Sequence, residues 1–378
     1  MLEITIIAAD MQEVIGTAVA LYLLSNKYIP LYAGVLLTIV DTFTFLLIDK
    51  YGLRKLEAFF AFLIAVMAIT FGYEYGSVSP DQAELQKGLW VPGCGPCSNR
   101  VLLQAVGIVG ALITPHNLYL HSSLVKSRAI NRANKDEVRD ANRYYFLESA
   151  IALLVSLVIN IFVVAVFAKG MYNKTNNDVL SLCTDRGINA TDIFPENDEQ
   201  IQGDIYRAGI FLGCQFGQAY MYIWAVGLLA AGQSSTMTGT YTGQFVMEGF
   251  LKMKLSRWKR VLVTRTLAIL PTVAVALLQD VNHVSGMNDI LNALMTLQLP
   301  YALLITFAFT ASRTLMGEFA NDKKTNVFMG AFTIAMIGLN LYFIGNFVVE
   351  NFPNTWWVYT LFGIFLVLYM AIILFLMF

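Results

Sequence analysis

Charge is scarce in this chain: only 13% of its 378 residues are Asp, Glu, Lys or Arg, against roughly 25% in soluble domains. That scarcity excludes an ordinary water-soluble globule. No basic tail is present to invite nucleic acid, and the formal net charge of -1 gives no field to steer one. There is no H-E-x-x-H metalloprotease signature and no glycine-rich nucleotide loop. No polar stretch is long enough to form a soluble catalytic domain, so an enzyme is not expected, and no bound cofactor is expected either. Nor does Met1 open a signal peptide, because the chain enters an apolar run at once, with neither a basic n-region nor a small-residue cleavage site.

What the chain has is hydrocarbon. Hydrophobic residues make up 57% of it and the mean hydropathy is +0.60. Ten apolar segments can be read, near 4–24, 30–48, 56–75, 101–125, 144–168, 209–232, 261–279, 287–309, 325–347 and 356–378. Most reach the roughly 20 residues needed to cross about 30 Å of hydrocarbon as a helix. Backbone polar groups in lipid must be satisfied within the segment, and these runs are too long and too uniformly apolar for barrel strands. The expectation is an all-α polytopic membrane protein forming one transmembrane domain, with the lipid bilayer as its first partner.

Lys and Arg fix the orientation. The connections at 49–55, 126–143, 251–260 and 311–324 hold 17 of the 25, whereas those at 25–29, 76–100 and 169–208 hold seven. The positive-inside rule places the first set, and both ends of the chain, in the cytoplasm. The 169–208 connection also carries two N-x-[ST] sequons, at Asn173 and Asn189, which are useful only on a lumenal or extracellular face. Together these point to a eukaryotic plasma-membrane or endosomal/lysosomal protein.

Cys94 and Cys97 spell C-G-P-C, the spacing of a thioredoxin-like redox pair. Here they stand in a Pro/Gly-rich outer connection rather than a strand–helix unit, so a structural disulfide or two idle thiols is the expected reading. Cys183, on the same side, is free to pair with either. Cys214 falls inside the 209–232 segment and is expected to be a small packing residue.

Ionisable residues inside a span are costly and usually functional. In the first span Glu3, Asp10, Glu13 and Thr17 follow spacings of seven, three and four, which align them on one helical face. Asp10 and Glu13 suit a proton relay or a cation path. Arg265, one turn inside the seventh span, is a partner for Asp10 or Glu13, unless it snorkels to the cytoplasmic boundary. In the eighth span Asn288, Asn292 and Thr296 share a face, and amide oxygens suit hard and borderline cations. Gln298 points elsewhere and is read as an interhelical hydrogen-bonding group.

The fourth span is interrupted at its centre by Thr114, Pro115, His116 and Asn117, with His121 further on. Pro115 lacks an N–H, so the carbonyls near Ala111 and Leu112 lose their helical partner. Freed carbonyls at mid-membrane persist only where they line a cavity or coordinate something. A discontinuous helix at the midplane is the signature of an ion site in secondary transporters; a simple proline bend is the alternative.

The stretches "PHNLYLHSSLVKSR" (115–128), "DMQEVIGTA" (10–18), "DKYGLRKLEAFFAFLIAVMAITFGYEY" (49–75) and "AAGQSSTMTGTYTGQFVMEGF" (230–250) resemble the NRAMP family of proton-coupled divalent metal transporters, nearest its animal branch. The resemblance implies a LeuT-like inverted-repeat bundle in which the present segments correspond to helices three to twelve, ten of an expected twelve. It implies import of manganese and iron with protons, both as substrates. By position it gives Ala111, Thr114 and Asn292 as metal ligands, and Asp10, Glu13, His116 and Arg265 as the proton path, with His116 suited by an unperturbed pKa of about 6.5.

Two departures qualify what the resemblance implies. The family's Asp-Pro-Gly-Asn tetrapeptide, which supplies metal ligands from its first helix, does not occur here. The expectation is therefore a sequence incomplete at its start, the alternative being a short, transport-inactive or regulatory isoform. The family's usual Met before Pro-His-Asn is replaced by Thr114, and a hydroxyl is a harder ligand than a thioether, so selectivity against hard cations is expected to weaken. A sodium-coupled solute carrier of the same fold is the remaining alternative.

Overall fold

The computed structural model describes residues 2–49, 53–91, 93, 99–126, 128–201, 203–249, 257–278 and 281–377. Cys94 and Cys97 lie outside the described residues. Among those described, the chain is helical, its sole β pairing an isolated bridge between Thr175 and Gln200.

At the centre stands α1 (Leu2–Leu24), buried along nearly its whole length, Ile6, Ala8, Val14, Ala18, Ala20 and Leu23 included. A helix apolar on all sides belongs inside a bundle, and this one is flanked by α2 (Leu31–Asp49), α10 (Gln218–Gly249), α11 (Arg257–Leu278) and α12 (Val281–Ala311). Small residues set the spacing. A methyl added at Gly239 would stand 2.8 Å from Asp10 Oδ1, and one at Gly232 would stand 2.4 Å from Thr17 Oγ1. Gly34 brings α2 within similar reach of Ala18. Such small residues let membrane helices meet backbone to backbone, where dispersion and hydrogen bonds replace the absent hydrophobic drive.

Around this centre, α3 (Leu53–Val78) lies between α10 and α7 (Lys135–Met171). Next come α14 (Lys323–Asn351), against α12 and α5 (Asn99–Leu112), and α15 (Trp356–Met377), against α12. The outward faces of α7 and α15 present Leu153, Leu154, Val164, Val367 and Phe375, a surface only lipid tails would cover at no cost. Six described helices are long and apolar enough to cross a membrane. By that measure α10 is not among them: its inner half reads "GQSSTMTGTYTGQ", which is too polar for lipid because it faces α1. α5 and α6 (Pro115–Val125) fall short because the segment is broken in two.

The 209–232 segment requires correction. It is not one span: α9 (Ile205–Phe216) ends at Gly217, whose φ of 113° only glycine adopts readily, and α10 begins anew at Gln218. α9 packs with α8 (Asn176–Asp185) in a folded cap over one end of the bundle. Cys214 is consequently no isolated packing residue. It forms a disulfide with Cys183 of α8, so Cys183 is not the partner of Cys94 or Cys97. A disulfide belongs on an oxidising face, the face that the Lys/Arg count assigns to this connection. Both sequon asparagines, Asn173 and Asn189, are exposed on the cap.

Candidate functional site: a broken helix beside a buried charge cluster

The interruption of the fourth apolar segment is real. α5 ends at Leu112 and α6 starts at Pro115, with Thr114 extended between them at φ -72° and ψ 122°, the conformation favoured before proline. The Ala111 carbonyl would need the N–H of residue 115, which proline does not have. Asn117 Nδ2 donates to Thr114 Oγ1 at 2.5 Å, leaving the hydroxyl oxygen a second lone pair. His116 is buried at 4% exposure, and its Nδ1 has no hydrogen-bond partner among the described residues. His121 instead reaches out of α6 to Ser149 Oγ of α7 at 3.2 Å.

Opposite the break runs α12. A methyl at Gly110 would stand 1.8 Å from Thr296 Oγ1 and 2.8 Å from its Cα, and one at Gly107 would stand 3.8 Å from Asn292 Cβ. Asn292 and Thr296 therefore lie against the last turns of α5, while Ala111 remains exposed. Gln12 of α1 closes the third side: its Nε2 donates to Asn292 Oδ1 at 2.7 Å and to the Asn288 carbonyl at 3.3 Å.

A second cluster lies on the other face of α1. Asp10 and Arg265 form an ion pair at 3.5 Å, their side chains 1% and 5% exposed. Arg265 also donates to the Thr236 carbonyl at 2.6 Å and to Thr240 Oγ1 at 3.1 Å. It does not snorkel; it is committed inward. Glu13 accepts a short hydrogen bond from Ser235. Asp10, Glu13 and Arg265 are thus brought together by α1, α10 and α11, while Glu3, two turns away, has neither carboxylate oxygen hydrogen-bonded among the described residues. Two buried acids with one guanidinium leave an excess of carboxylate, which in a membrane interior calls for a proton or another cation.

Reading the sequence alone overlooked Gln12, Ser235, Thr236 and Thr240. The "QSSTMTGT" run was the available signal, since so many hydroxyls in a span need polar company. Among the described residues no three His, Cys, Asp or Glu side chains converge as a metal cage; besides the His116 imidazole, the groups near the break are a carbonyl, hydroxyls and amides.

A family profile described as natural resistance-associated macrophage protein-like matches residues 1–346. Natural resistance-associated macrophage protein 2 of Rattus norvegicus is 56% identical over 350 residues, covering 93% of this chain and 62% of its own length. Protein Malvolio of Drosophila melanogaster is 55% identical over 381 residues, covering 100% of this chain and 64% of its own length. The chain thus spans under two thirds of either relative. A crystallised manganese transporter of Eremococcus coleocola, in a mutant form, superposes with a TM-score of 0.79 at 28% identity, covering 100% of this chain and 76% of the other.

Proposed function

The chain belongs to the natural resistance-associated macrophage protein family, and on that premise we propose that it carries divalent transition-metal ions, manganese and iron foremost, across a plasma or endosomal membrane together with protons. The observation that carries this reading is the helix broken at Thr114–Pro115 against Asn292, with the Asp10–Arg265–Glu13 cluster on the other face of α1.

In this reading the ion loses part of its water shell to oxygen donors: the Ala111 carbonyl, the Thr114 hydroxyl and the Asn292 amide oxygen. Each keeps a lone pair for it: the Ala111 carbonyl lacks its helical donor, while Thr114 Oγ1 and Asn292 Oδ1 each accept one hydrogen bond, from Asn117 and Gln12. An all-oxygen set on this chain favours manganese over softer ions. Protons travel on the far side of α1, by Asp10, Glu13 and Arg265, with His116, buried at the start of α6, as a further proton-handling group. Separating the routes on two faces of one helix lets a proton move without meeting a second positive charge at the metal.

The test is uptake of radioactive manganese at acidic and neutral pH by cells expressing the protein, beside cells with an empty vector. Uptake that rises on acidification and falls in an Asp10→Asn variant is the expected result. Uptake equal to that of empty cells at both pH values would sink the proposal in favour of a transport-inactive protein, and dependence on sodium rather than acid would favour a sodium-coupled carrier.

A further inference from the structure

Gln12 links α1 to the amide row of α12. Its carboxamide has two N–H donors, and both point at α12: one to Asn292 Oδ1 at 2.7 Å, the other toward the Asn288 carbonyl at 3.3 Å. On the other flank of Asn292 lies Gly107 of α5, where an added methyl would be in ordinary van der Waals contact with the Asn292 Cβ at 3.8 Å. The Asn292 backbone carbonyl is engaged by Thr296 Oγ1 at 2.9 Å. Rotation about the last bond of the Asn292 side chain exchanges oxygen for NH2 at almost no change in shape.

That exchange matters for a cation. The amide oxygen attracts it and the NH2 repels it, yet packing alone does not distinguish them. The Gln12 donor does distinguish them, because only the oxygen can accept its hydrogen bond, and the second donor's bond to the Asn288 carbonyl fixes which end of the Gln12 amide faces α12. An amide oxygen has two lone pairs, so the bond from Gln12 uses one and leaves the other.

We propose that Gln12 is a positioning residue for the metal: it locks the Asn292 carboxamide with its oxygen, not its NH2, at the junction of α1, α5 and α12, where a divalent cation takes the second lone pair. This rests on Asn292 as a metal ligand, as proposed above. Partners that orient a metal ligand from behind typically change affinity by about 10- to 100-fold when removed.

The experiment measures manganese uptake against concentration, normalised to surface-labelled protein, in cells expressing the protein from its full native coding sequence. Variants are Gln12→Leu, Gln12→Met, which keeps the side-chain length without donors, Asn292→Ala, and the Gln12→Met/Asn292→Ala double. The half-saturating concentration does not depend on how much protein reaches the surface, so a folding loss does not mimic the effect. Gln12→Leu and Gln12→Met are each expected to raise it about tenfold with maximal uptake per molecule unchanged, and the double variant to be no worse than Asn292→Ala. If the single Gln12 variants leave half-saturation unchanged while Asn292→Ala raises it, Gln12 has no such role and the metal-site reading stands. If the effects multiply in the double variant, Gln12 does not act through Asn292 and the proposal fails. If Asn292→Ala itself changes nothing, Asn292 is not a ligand, and this inference falls together with that part of the site.

Discussion

Arg265 of α11 and Asp10 of α1 face each other at 3.5 Å in the interior of the bundle, with hardly any water on either. Burying such a pair is no bargain relative to an apolar pair, yet removing one partner strands the other, at a cost of about 3–5 kcal/mol. Arg265→Ala should therefore reduce the thermal stability of the detergent-solubilised protein far more than Thr266→Ala, one residue on and exposed. Equal melting temperatures for the two variants would show that the pair is not structurally engaged.

Gly110 and Gly330 offer a matched comparison. A methyl at Gly110 collides with the Thr296 backbone, whereas one at Gly330 meets nothing within 4 Å. Gly110→Ala should cost about 1–3 kcal/mol through overpacking, and Gly330→Ala, mid-helix in α14, should gain about 0.5–1 kcal/mol. Thermal melting of both variants checks the opposite signs.

The Cys183–Cys214 bond closes a loop across the cap. Cys183→Ser and Cys214→Ser should each lower stability by about 2–4 kcal/mol, and the double variant by no more than either single one. Peptide mapping without reductant should recover the two cysteines linked; a Cys183 peptide joined to Cys94 or Cys97 would contradict the pairing.

Thr114→Met exchanges a hard oxygen for a soft sulfur at the break. The expected outcome is a higher ratio of cadmium to manganese uptake, read by competing isotopes in the same cells. An unchanged ratio would remove Thr114 from the ligand set.

The cap should withstand acid. Asp178 closes a capping box on Thr175, and the backbone N–H it accepts from Thr175 holds its carboxyl below the ordinary aspartate value. Because the folded value is the lower one, this contribution is complete above the unfolded value near 4 and is lost only as pH falls through the depressed one. Hydrogen exchange of the first turn of α8 should thus be equally protected at neutral pH and at the pH of an endosome, after correction for intrinsic rates; loss of protection near pH 5 would refute it.

Some of this was legible from residues alone. Pro115 announces the break because it has no N–H to give Ala111, and Asp10 and Arg265 are two charges whose best refuge in a membrane interior is each other. Glycine is a poorer signal: Gly217 in an apolar run reads as tolerated, so the α9–α10 corner passed as a continuous span and carried Cys214 into the membrane with it. Gln12 stayed hidden for a different reason. Its partner is 280 residues away, and helical periodicity says which residues share a face but not which helix that face meets.

The contact between Gly110 and Thr296 has a mechanical corollary. Where two backbones touch too closely to admit a methyl group, neither has clearance to slip, so α5 is seated on α12 like a beam in its socket. α6 contains no glycine and rests on α10, α12 and α1 through side chains, Pro115, His116 and Leu120 being its buried residues. Load arriving at Thr114 thus meets two different supports: backbone set against backbone on the α5 side, and side-chain packing on the side beyond the proline.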